Sequence, residues 1–310
     1  HTRFALVSWA RRCVSETGSY VRGNFYNRGR ISTESLRASD DLIFLNVHPN
    51  KDGSLSFENP RVFQGKGVTT WEDLIKSVRA KVKGTKVKIR LGASSGEWKA
   101  MVADEAARTT FAKNIKTVLE KNKLDGIDLD FEWAENEKEY KDYSLAILKM
   151  REVLGDKYLF SVSLHPVCYK ISKEAIEAVD FISLQCYGPS PVRFPIEKYC
   201  SDIQMVLEYG IPKEKLVAGV PFYGVTKDNS KKTEAYFNFV QNGLVTSPAQ
   251  NEVIYQGDTY VFDGQDNIRI KTRYAKEQKL KGMMSWDLAT DLPLSDSRSL
   301  LKTMTEELRE

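Results

Sequence analysis

Short apolar or β-branched runs alternate with segments of helical periodicity along nearly the whole chain. This alternation is typical of strand–helix–strand units, which build parallel sheets. The runs predict eight strands, at Phe4–Ala10, Asp41–Val47, Val87–Leu91, Gly126–Glu132, Tyr158–Leu164, Phe181–Tyr187, Leu216–Tyr223 and Gly282–Asp287. Helical periodicity is clearest at Glu105–Lys121, Asn136–Val153, Ile196–Tyr209 and Ile268–Gln278.

Eight strand–helix units predict a (β/α)8 TIM barrel, a fold whose core usually takes about 250 residues. The chain has 310 residues, and the surplus falls between the seventh and eighth predicted strands. There Val225–Asn267 is rich in Lys, Asn and Gln, with short β-like runs at Val253–Tyr255 and Thr259–Phe262. We therefore expect a single domain over residues 1–310 with a small insertion at residues 225–267.

An open, doubly wound sheet is the architectural alternative to a barrel. Such a sheet normally carries a glycine-rich phosphate-binding turn after its first strand. The sequence at that position, Ser8-Trp9-Ala10-Arg11-Arg12, contains no glycine. The barrel is therefore favoured.

Composition argues against several classes of function. The 46 Lys and Arg residues nearly balance 42 Asp and Glu residues and leave a net charge of +4, so nucleic acid and anionic membranes are not expected partners. No apolar run approaches the roughly 18 residues of a membrane-spanning helix. The cysteines form no CxxC pair and the histidines no HExxH motif, so we expect no metal and no other cofactor. These residues are Cys13, Cys168, Cys186, Cys200, His1, His48 and His165.

The chain begins with His1 and has no initiator Met. We expect a processed form from which an export signal has been removed, and therefore a secreted or extracytoplasmic protein. The cysteine spacing leaves open whether any two are bridged. We further expect the protein to act as a monomer.

The segment Leu124–Trp133 is the most informative about chemistry. Side chains alternate along a strand, so its apolar residues share one face and its acids the other: Asp128, Asp130 and Glu132. In a barrel the apolar face packs against the outer helices, and the acids point inward. Three carboxylates about 6.6 Å apart are costly in a dry interior, and their proximity should raise at least one pKa. A catalytic acid working near neutral pH needs such a shift.

Two other interpretations of the acidic strand are open. Alternating charge often marks a solvated strand face, but the interleaved Ile, Leu and Phe of a central strand argue against it. A DxDxE run also offers oxygen ligands to a hard cation. An EF-hand loop, however, needs a central glycine at a set position and is not strand-like. A catalytic carboxylate cluster is the preferred hypothesis.

The segment Asp125–Glu132 resembles the DGxDxDxE signature of family 18 glycoside hydrolases, the chitinases and their relatives. Three further segments resemble the sixth, seventh and eighth strands of that family: Gln185–Tyr187, Gly219–Gly224 and Gly282–Asp287. The four matches occur in family order, so the resemblance covers most of the chain. It implies a glycosidase that cleaves β-1,4 bonds of N-acetylglucosamine polymers.

The resemblance also implies a role for each matching residue. The nucleophile would be the substrate's own N-acetyl carbonyl, a substrate-assisted exception to the two-carboxylate scheme that proceeds with retention. Glu132 would be the general acid and base, Asp130 would bond the acetamido N–H, and Asp128 would hold Asp130. Tyr187 would orient the acetamido carbonyl. Candidate substrate-binding residues are Trp286 beneath the −1 sugar, Tyr223, Gln185, Trp98 and Trp133.

Two positions depart from the family pattern. Many relatives have Asp after the catalytic Tyr, whereas this chain has Gly188, which looks closer to the plant-type branch. The third-strand SxGG motif is replaced by Arg90-Leu91-Gly92-Ala93. We hypothesise that Arg90, if it points inward, pairs with Asp128. Both departures bear on the geometry and pH optimum of the −1 site more than on the reaction class.

Several other side chains have two open interpretations. His165, at the end of the fifth predicted strand, either reaches the site or caps that strand. Trp9 and Trp71 are expected to be ordinary core. Three aromatic residues of the insertion either form a cleft wall or a small local core: Tyr236, Phe237 and Phe239.

The leading hypothesis is a chitinase that acts on N-acetylglucosamine-containing polysaccharides or oligosaccharides. The short insertion favours an open groove and endo-cleavage. An endo-β-N-acetylglucosaminidase acting on N-glycans or peptidoglycan-like chains is the closest alternative. A non-catalytic chitin-binding lectin is another, although lectin-like relatives usually lack the acid found in this chain at Glu132.

Overall fold

The computed structural model describes residues 16–62, 65, 67–188, 194–228 and 232–310. Its strands are β1 (Glu16–Val21), β2 (Asp41–Pro49), β3 (Leu55–Phe57), β4 (Lys88–Ser94), β5 (Gly126–Asp130), β6 (Leu159–Leu164), β7 (Phe181–Leu184), β8 (Leu216–Pro221), β9 (Tyr223–Thr226), β10 (Thr233–Ala235), β11 (Glu252–Tyr255), β12 (Asp258–Val261) and β13 (Gly282–Trp286). Its helices are α1 (Thr33–Ala38), α2 (Trp71–Lys81), α3 (Trp98–Ala103), α4 (Glu105–Asn122), α5 (Glu137–Leu154), α6 (Lys173–Ala178), α7 (Ile196–Tyr209), α8 (Tyr236–Gln241), α9 (Gln265–Glu277) and α10 (Leu300–Arg309).

Eight parallel strands close into a barrel in the order β1, β2, β4, β5, β6, β7, β8 and β13. Closure is made by β1, which pairs in parallel with β2 on one side and with β13 on the other. Helices flank the strands, so the predicted (β/α)8 TIM barrel is confirmed. The functional residues of such barrels lie at the carboxyl ends of the strands.

The first barrel strand is β1, Glu16–Val21, which the sequence pattern did not predict. Its sequence, ETGSYV, carries a glycine and three hydroxyl-bearing residues and lacks the continuous apolar run of a buried parallel strand. The strand predicted at Phe4–Ala10 lies outside the described residues, as does Trp9. The other seven predicted barrel strands match β2, β4, β5, β6, β7, β8 and β13.

The predicted insertion lies between β8 and β13, the seventh and eighth barrel strands. It is a four-stranded antiparallel sheet in the order β10-β9-β12-β11, with α8 beside it. Phe239 packs against Tyr255, Tyr260 and Phe262 with ring centroids 5.4–5.9 Å apart. Tyr236 is also buried, so these two rings form a local core. Phe237 is only partly buried and packs beside it.

Helix α5 shows how the chain returns after the acidic strand. Asn136 caps its first turn, with Oδ1 accepting from the backbone N–H of Glu139 at 3.0 Å. It ends at Gly155, whose φ of +61° suits a residue without Cβ. The buried face of α5 includes Tyr143, whose hydroxyl donates to the carbonyl of Leu129 on β5 at 3.3 Å. The helix is thereby tied to the outer face of the acidic strand.

The described cysteines, Cys168, Cys186 and Cys200, are free thiols. Cys13 lies outside the described residues. Within the described ranges, no helix combines the length and the apolar character needed to cross a bilayer.

Candidate active site

The three acids of the predicted cluster lie in sequence along β5 and just beyond its end. Asp128 and Asp130 are buried inside the barrel, and Glu132 follows the strand with its side chain 44% exposed. The strand ends two residues earlier than predicted, at Asp130. Glu132 therefore stands at the mouth of the barrel, where solvent and a ligand can reach it.

Asp128 is surrounded by donors. The Tyr20 hydroxyl donates to its Oδ2 at 2.8 Å and the Ser163 hydroxyl to the same oxygen at 3.1 Å, while the Ser161 hydroxyl donates to Oδ1 in a short bond. Burial raises the pKa of Asp128 above its ordinary value, and the charge of Arg90 and these donors oppose that rise. Its side chain is therefore fixed in position.

Arg90 points inward, but the predicted direct pair with Asp128 was wrong. Its guanidinium forms an ion pair with Asp41, with Nη2 at 2.6 Å from Oδ2 and Nε donating to both carboxylate oxygens at 2.8–2.9 Å. Its Nη1 donates to the Ser161 hydroxyl at 2.8 Å. Ser161 in turn bonds Asp128, so Arg90 acts on Asp128 through this serine. Asp41 is the carboxylate nearest to the guanidinium because it lies at the start of β2, the strand that pairs with β4.

Asp130 has a side-chain donor and two negative neighbours. Gln185 Nε2 donates to its Oδ1 at 2.9 Å. Burial, then the charges of Glu132 and Asp128, raise the pKa of Asp130 well above its ordinary value. The pKa shift predicted from the carboxylate cluster therefore falls most strongly on Asp130.

Glu132 has a histidine partner that the sequence left undecided. His165 Nε2 lies 2.9 Å from its Oε1, and Gln185 Nε2 donates to the same oxygen at 3.3 Å. Burial alone would raise the pKa of Glu132, but the hydrogen bond and charge of His165 outweigh it and lower that pKa below its ordinary value. His165 thus reaches the site.

His165 is held by its surroundings. It is 5% exposed, and its backbone pairs with that of Cys168 in a tight turn after β6. Its ring packs edge-on against Trp133, with centroids 4.8 Å apart. A Cβ added at Gly188 would lie 3.5 Å from His165 Cε1. The imidazole therefore borders the place where many relatives carry an Asp.

Aromatic side chains complete a pocket above these acids. A cavity of about 210 Å³ is lined by Glu132, Trp133, His165, Gln185, Tyr187, Gly188, Tyr223 and Trp286. The Tyr187 hydroxyl donates to the sulfur of Met284 at 3.9 Å, a weak acceptor. Gly219 makes room for Tyr187, because a Cβ there would lie 3.0 Å from the Tyr187 ring and 2.7 Å from the Leu184 carbonyl. Most of the predicted site residues line this pocket, and Asp130 reaches it through its bond with Gln185.

Trp98 does not belong to the pocket, so its predicted role in stacking a sugar was wrong. It begins α3, is 4% exposed and packs between Phe111, Phe131 and Tyr143 with centroids 5.6–6.1 Å apart. These contacts place it between the barrel and its helices, where no ligand reaches. Trp71 is also core, stacked on Phe57 at 4.9 Å as expected.

Sequence reasoning missed three residues that hold Asp128. Ser161 and Ser163 alternate with apolar residues on β6, and this alternation marks an inward polar face that continues to His165. Tyr20 lies on β1, the strand that the pattern did not predict. The two serines could therefore have been found from the sequence, and Tyr20 could not.

One group of described side chains comes close enough to hold a metal ion. Ligand atoms of Asp130, Glu132 and His165 lie within 4.8 Å of one another. His165 and Glu132 are already bonded to each other, and Gln185 donates to both acids. Gln185 directs an amide N–H at an oxygen of each of the two acids. This arrangement fits carboxylates that bind a proton or a substrate, and it does not fit carboxylates that bind a metal cation.

The model of the family described as glycosyl hydrolases family 18 matches residues 14–291. Probable chitinase 2 of Drosophila melanogaster is 23% identical over 273 residues, which are 66% of this chain and 56% of that protein. The chain thus spans about half the length of curated relatives that it matches.

Solved structures share the fold. A chitinase from Bacteroides thetaiotaomicron superposes with a TM-score of 0.81 at 20% identity, covering 95% of this chain and 96% of that one. The chitinase-like agglutinin RobpsCRA from Robinia pseudoacacia gives 0.75 at 17% identity, over 94% and 99%. At such identities the likeness concerns the fold alone. The family model covers most of the barrel and includes all four signature segments, so the chain belongs to the glycosyl hydrolases of family 18.

Proposed function

We propose that this protein is a chitinase-type glycosidase that cleaves β-1,4 bonds between N-acetylglucosamine units with help from the substrate's acetamido group. The observation that carries the proposal is the pairing of an open carboxylic acid, Glu132, with a buried one, Asp130, beneath an aromatic pocket. An oxygen of each lies within 4.8 Å of the other. The naming of the Drosophila relative as a probable chitinase supports chitin as the substrate class.

The two acids share protons in a way that suits this reaction. In the free protein the pKa shifts favour a proton on Asp130 and a negative charge on Glu132 beside His165. Protonating the glycosidic oxygen requires the opposite arrangement. An acetamido N–H donating to Asp130 would stabilise the ionised form of Asp130 and leave the proton to Glu132. Substrate binding itself would thus leave Glu132 protonated and able to act as the general acid.

The bond changes then follow. The Glu132 proton passes to the glycosidic oxygen as the C1–O bond breaks, and the acetamido carbonyl oxygen bonds to C1 from the other face. Asp130 stabilises the positive charge of the resulting oxazolinium ring. Glu132, now ionised, takes a proton from water as that water attacks C1, which restores the acetamido group and retains the configuration.

The aromatic residues provide the sugar site. Trp286 is partly exposed and packs on Tyr20, with ring centroids 5.5 Å apart, which fixes its plane beneath the pocket. Tyr187 presents a hydroxyl whose present acceptor is a sulfur, so a substrate carbonyl is a better partner. Because its pKa is raised well above the ordinary value, chiefly by burial, this hydroxyl keeps its proton as a donor.

The test compares wild type with Glu132→Gln on N-acetylglucosamine tetramers and hexamers, measuring product release and binding. We expect Glu132→Gln to lose at least about 10²–10⁴-fold in rate and to keep binding. Glu135→Gln is the matched control. Glu135 is exposed, does not line the pocket, and forms an ion pair with Lys99 at 2.8 Å. The rate of the Glu135→Gln variant should match that of wild type. Binding without product from wild type would contradict the enzyme and favour a lectin.

An endo-acting enzyme of N-glycans is the second candidate, because the insertion is only a small four-stranded sheet, and a small insertion favours an open groove. The same preparation should be assayed on insoluble chitin and on a branched N-glycan. Faster release from chitin supports the chitinase, and release from the N-glycan alone would replace it with the second candidate.

A further inference from the structure

Two lysine–aspartate pairs lie on α7 and around the start of α9, and the proposed mechanism uses neither. α7 buries Asp202 on the same face as its buried apolar residues. α9 buries Lys271, which is 2% exposed. A charge on the inner face of a helix is costly unless it is paired and hydrogen-bonded. The contacts of these residues therefore show what the charges hold in place.

Lys198 connects Asp202 to the end of β7. The two side chains are one turn apart on α7 and form a short ion pair through Nζ and Oδ2. Lys198 Nζ also donates to the carbonyl oxygen of Cys186 at 3.3 Å. Cys186 lies between Gln185 and Tyr187, and both of those side chains line the catalytic pocket. The ammonium group thus holds the peptide group that joins Cys186 to Tyr187.

Lys271 holds the chain just before α7 in the same way. Its Nζ donates to Oδ2 of Asp263 at 2.5 Å and to the carbonyl oxygen of Phe194 at 2.9 Å. Asp263 is fully buried, and its other oxygen accepts from Nδ2 of Asn267 at 3.1 Å. Cys186 and Phe194 are therefore each bonded, through a backbone carbonyl, to a lysine that an aspartate fixes.

The ring of Phe194 extends this contact to the pocket. Phe194 packs edge-on against Tyr223 with ring centroids 6.0 Å apart, and Tyr187 packs edge-on against Tyr223 at 6.3 Å. Tyr223 and Tyr187 both line the catalytic pocket. Loss of either lysine contact would therefore let an aromatic residue of the pocket wall move.

The four charges of the two pairs compensate one another. Burial raises the pKa of Asp202 and of Asp263, and the lysines oppose the rise in both. Asp202 responds to Lys271 as well as to Lys198, so the two pairs lie close together. Apolar side chains of similar volume often stabilise a fold as well as a buried ion pair does. What apolar side chains would not supply is the N–H donors to the two carbonyls.

We infer that Lys198 and Lys271 are positioning residues, which fix the end of β7 and the start of α7 and thereby place Tyr187 and Tyr223 in the catalytic pocket. Neither lysine lines the pocket, and each acts through a backbone carbonyl. The aspartates hold the ammonium groups beside these carbonyls. The inference rests on the proposed function, in which Tyr187 orients the acetamido carbonyl and Tyr223 borders the sugar.

The first test removes the Lys198 pair. Lys198→Met alone would leave the charge of Asp202 without its partner, so the variant is Lys198→Met/Asp202→Asn, which removes both charges and should fold. On chitotetraose we expect kcat to fall about tenfold or more with KM unchanged, because a misplaced Tyr187 stabilises the transition state less. In the crystal structure of this variant the Tyr187 hydroxyl should lie about 1 Å from its wild-type position, a shift that suffices for such a loss.

The second test removes the Lys271 pair with Lys271→Met/Asp263→Asn. This change loosens the packing of Phe194 on Tyr223 at the sugar site, so we expect KM to rise about threefold or more with a smaller change in kcat. An unchanged KM would overturn the role of Lys271.

Lys149→Met is the matched control for both variants. Lys149 is partly exposed on α5, does not line the pocket, and forms an ion pair with Glu152 at 2.6 Å. Both kinetic constants of this variant should match those of wild type. The unfolding midpoint is measured on every sample.

The outcomes separate positioning from stability and from the proposed function. A lower unfolding midpoint with wild-type kcat and KM in both double variants would show that the pairs only stabilise the fold, and it would overturn the inference while the glycosidase stands. A fall in kcat with Tyr187 unmoved would overturn the role of Lys198. Absence of cleavage by wild type would instead overturn the proposed function, and the position of Tyr187 in the first double variant would still show whether Lys198 holds it.

Discussion

The barrel interior contains two layers of polar side chains, a lower layer around Asp128 and an upper layer around Asp130 and Glu132. The layers differ in how far protein groups neutralise and hydrogen-bond their charges. In the lower layer, Arg90 pairs with Asp41, and Ser161 links it to Asp128, which accepts from three hydroxyl donors. In the upper layer, Asp130 accepts from Gln185, which also donates to Glu132. The lower charges are satisfied by the protein, and the upper ones have capacity left for a substrate.

This difference explains why acids on one strand have different properties. Asp128 and Asp130 are both buried, but Asp128 has Arg90 nearby while Asp130 has Glu132. Burial raises the pKa of both, and the neighbours then moderate the shift in Asp128 and add to it in Asp130. In the proposed mechanism the lower layer is a fixed support, and the proton moves only between groups of the upper layer.

The largest effect is expected from breaking the lower layer. Arg90→Met leaves Asp41 and Asp128 without their cation in the barrel interior, and removing one partner of a buried pair costs about 3–5 kcal/mol. The free energy of unfolding from urea titration measures this loss. The double variant Arg90→Met/Asp41→Asn also removes the unpaired carboxylate charge of Asp41. It should recover part of the lost free energy of unfolding. An unchanged unfolding midpoint in the single variant would show that the layer is not a support.

A change in the upper layer should affect turnover rather than stability. Asp130→Asn keeps the shape of the side chain and removes the charge that would stabilise the oxazolinium, so we expect a rate loss of about 10²–10³-fold. The thermal midpoint, measured on the same sample, should not fall, because burial already disfavours the charge of Asp130. If Asp130→Asn lowers the stability and keeps full turnover, the assignment of a supporting role to the lower layer and a catalytic role to the upper layer is wrong.

The smallest effect is expected at the rim, from His165→Gln. His165 lowers the pKa of Glu132 by its hydrogen bond and by its electrostatic interaction, and Gln in its place keeps a donor but loses the electrostatic contribution. The acid should then hold its proton to higher pH, and the descending alkaline limb of kcat/KM should move up by about one pH unit. A merely structural histidine would lower the rate at every pH without moving that limb.

The fold was largely predictable from sequence because most barrel strands carry a continuous apolar face. β1 was missed since its inward Tyr20 is surrounded by Gly, Ser and Thr, which carry little strand signal in this arrangement. The acids of β5 were found because alternation fixes their common face. Trp98 was assigned wrongly, since position after a strand does not say whether a ring turns toward the pocket or toward the helices.

Partners across the barrel were harder to predict than the residues themselves. Arg90 was expected beside Asp128, but its nearest carboxylate belongs to β2, a strand 49 residues away in sequence. The contact of His165 with Glu132 likewise depends on a turn between β6 and α6. The partner of each side chain depends on distances between strands, and a single sequence does not contain those distances.

The anomeric configuration of the first product tests the central claim most directly. Proton NMR during the first minutes of chitotetraose hydrolysis, before mutarotation, separates the α and β anomers of the new reducing end. Attack by the acetamido oxygen followed by water predicts the β anomer. Release of the α anomer would mean direct displacement by water, and it would contradict the participation of Asp130 and the acetamido group in the reaction.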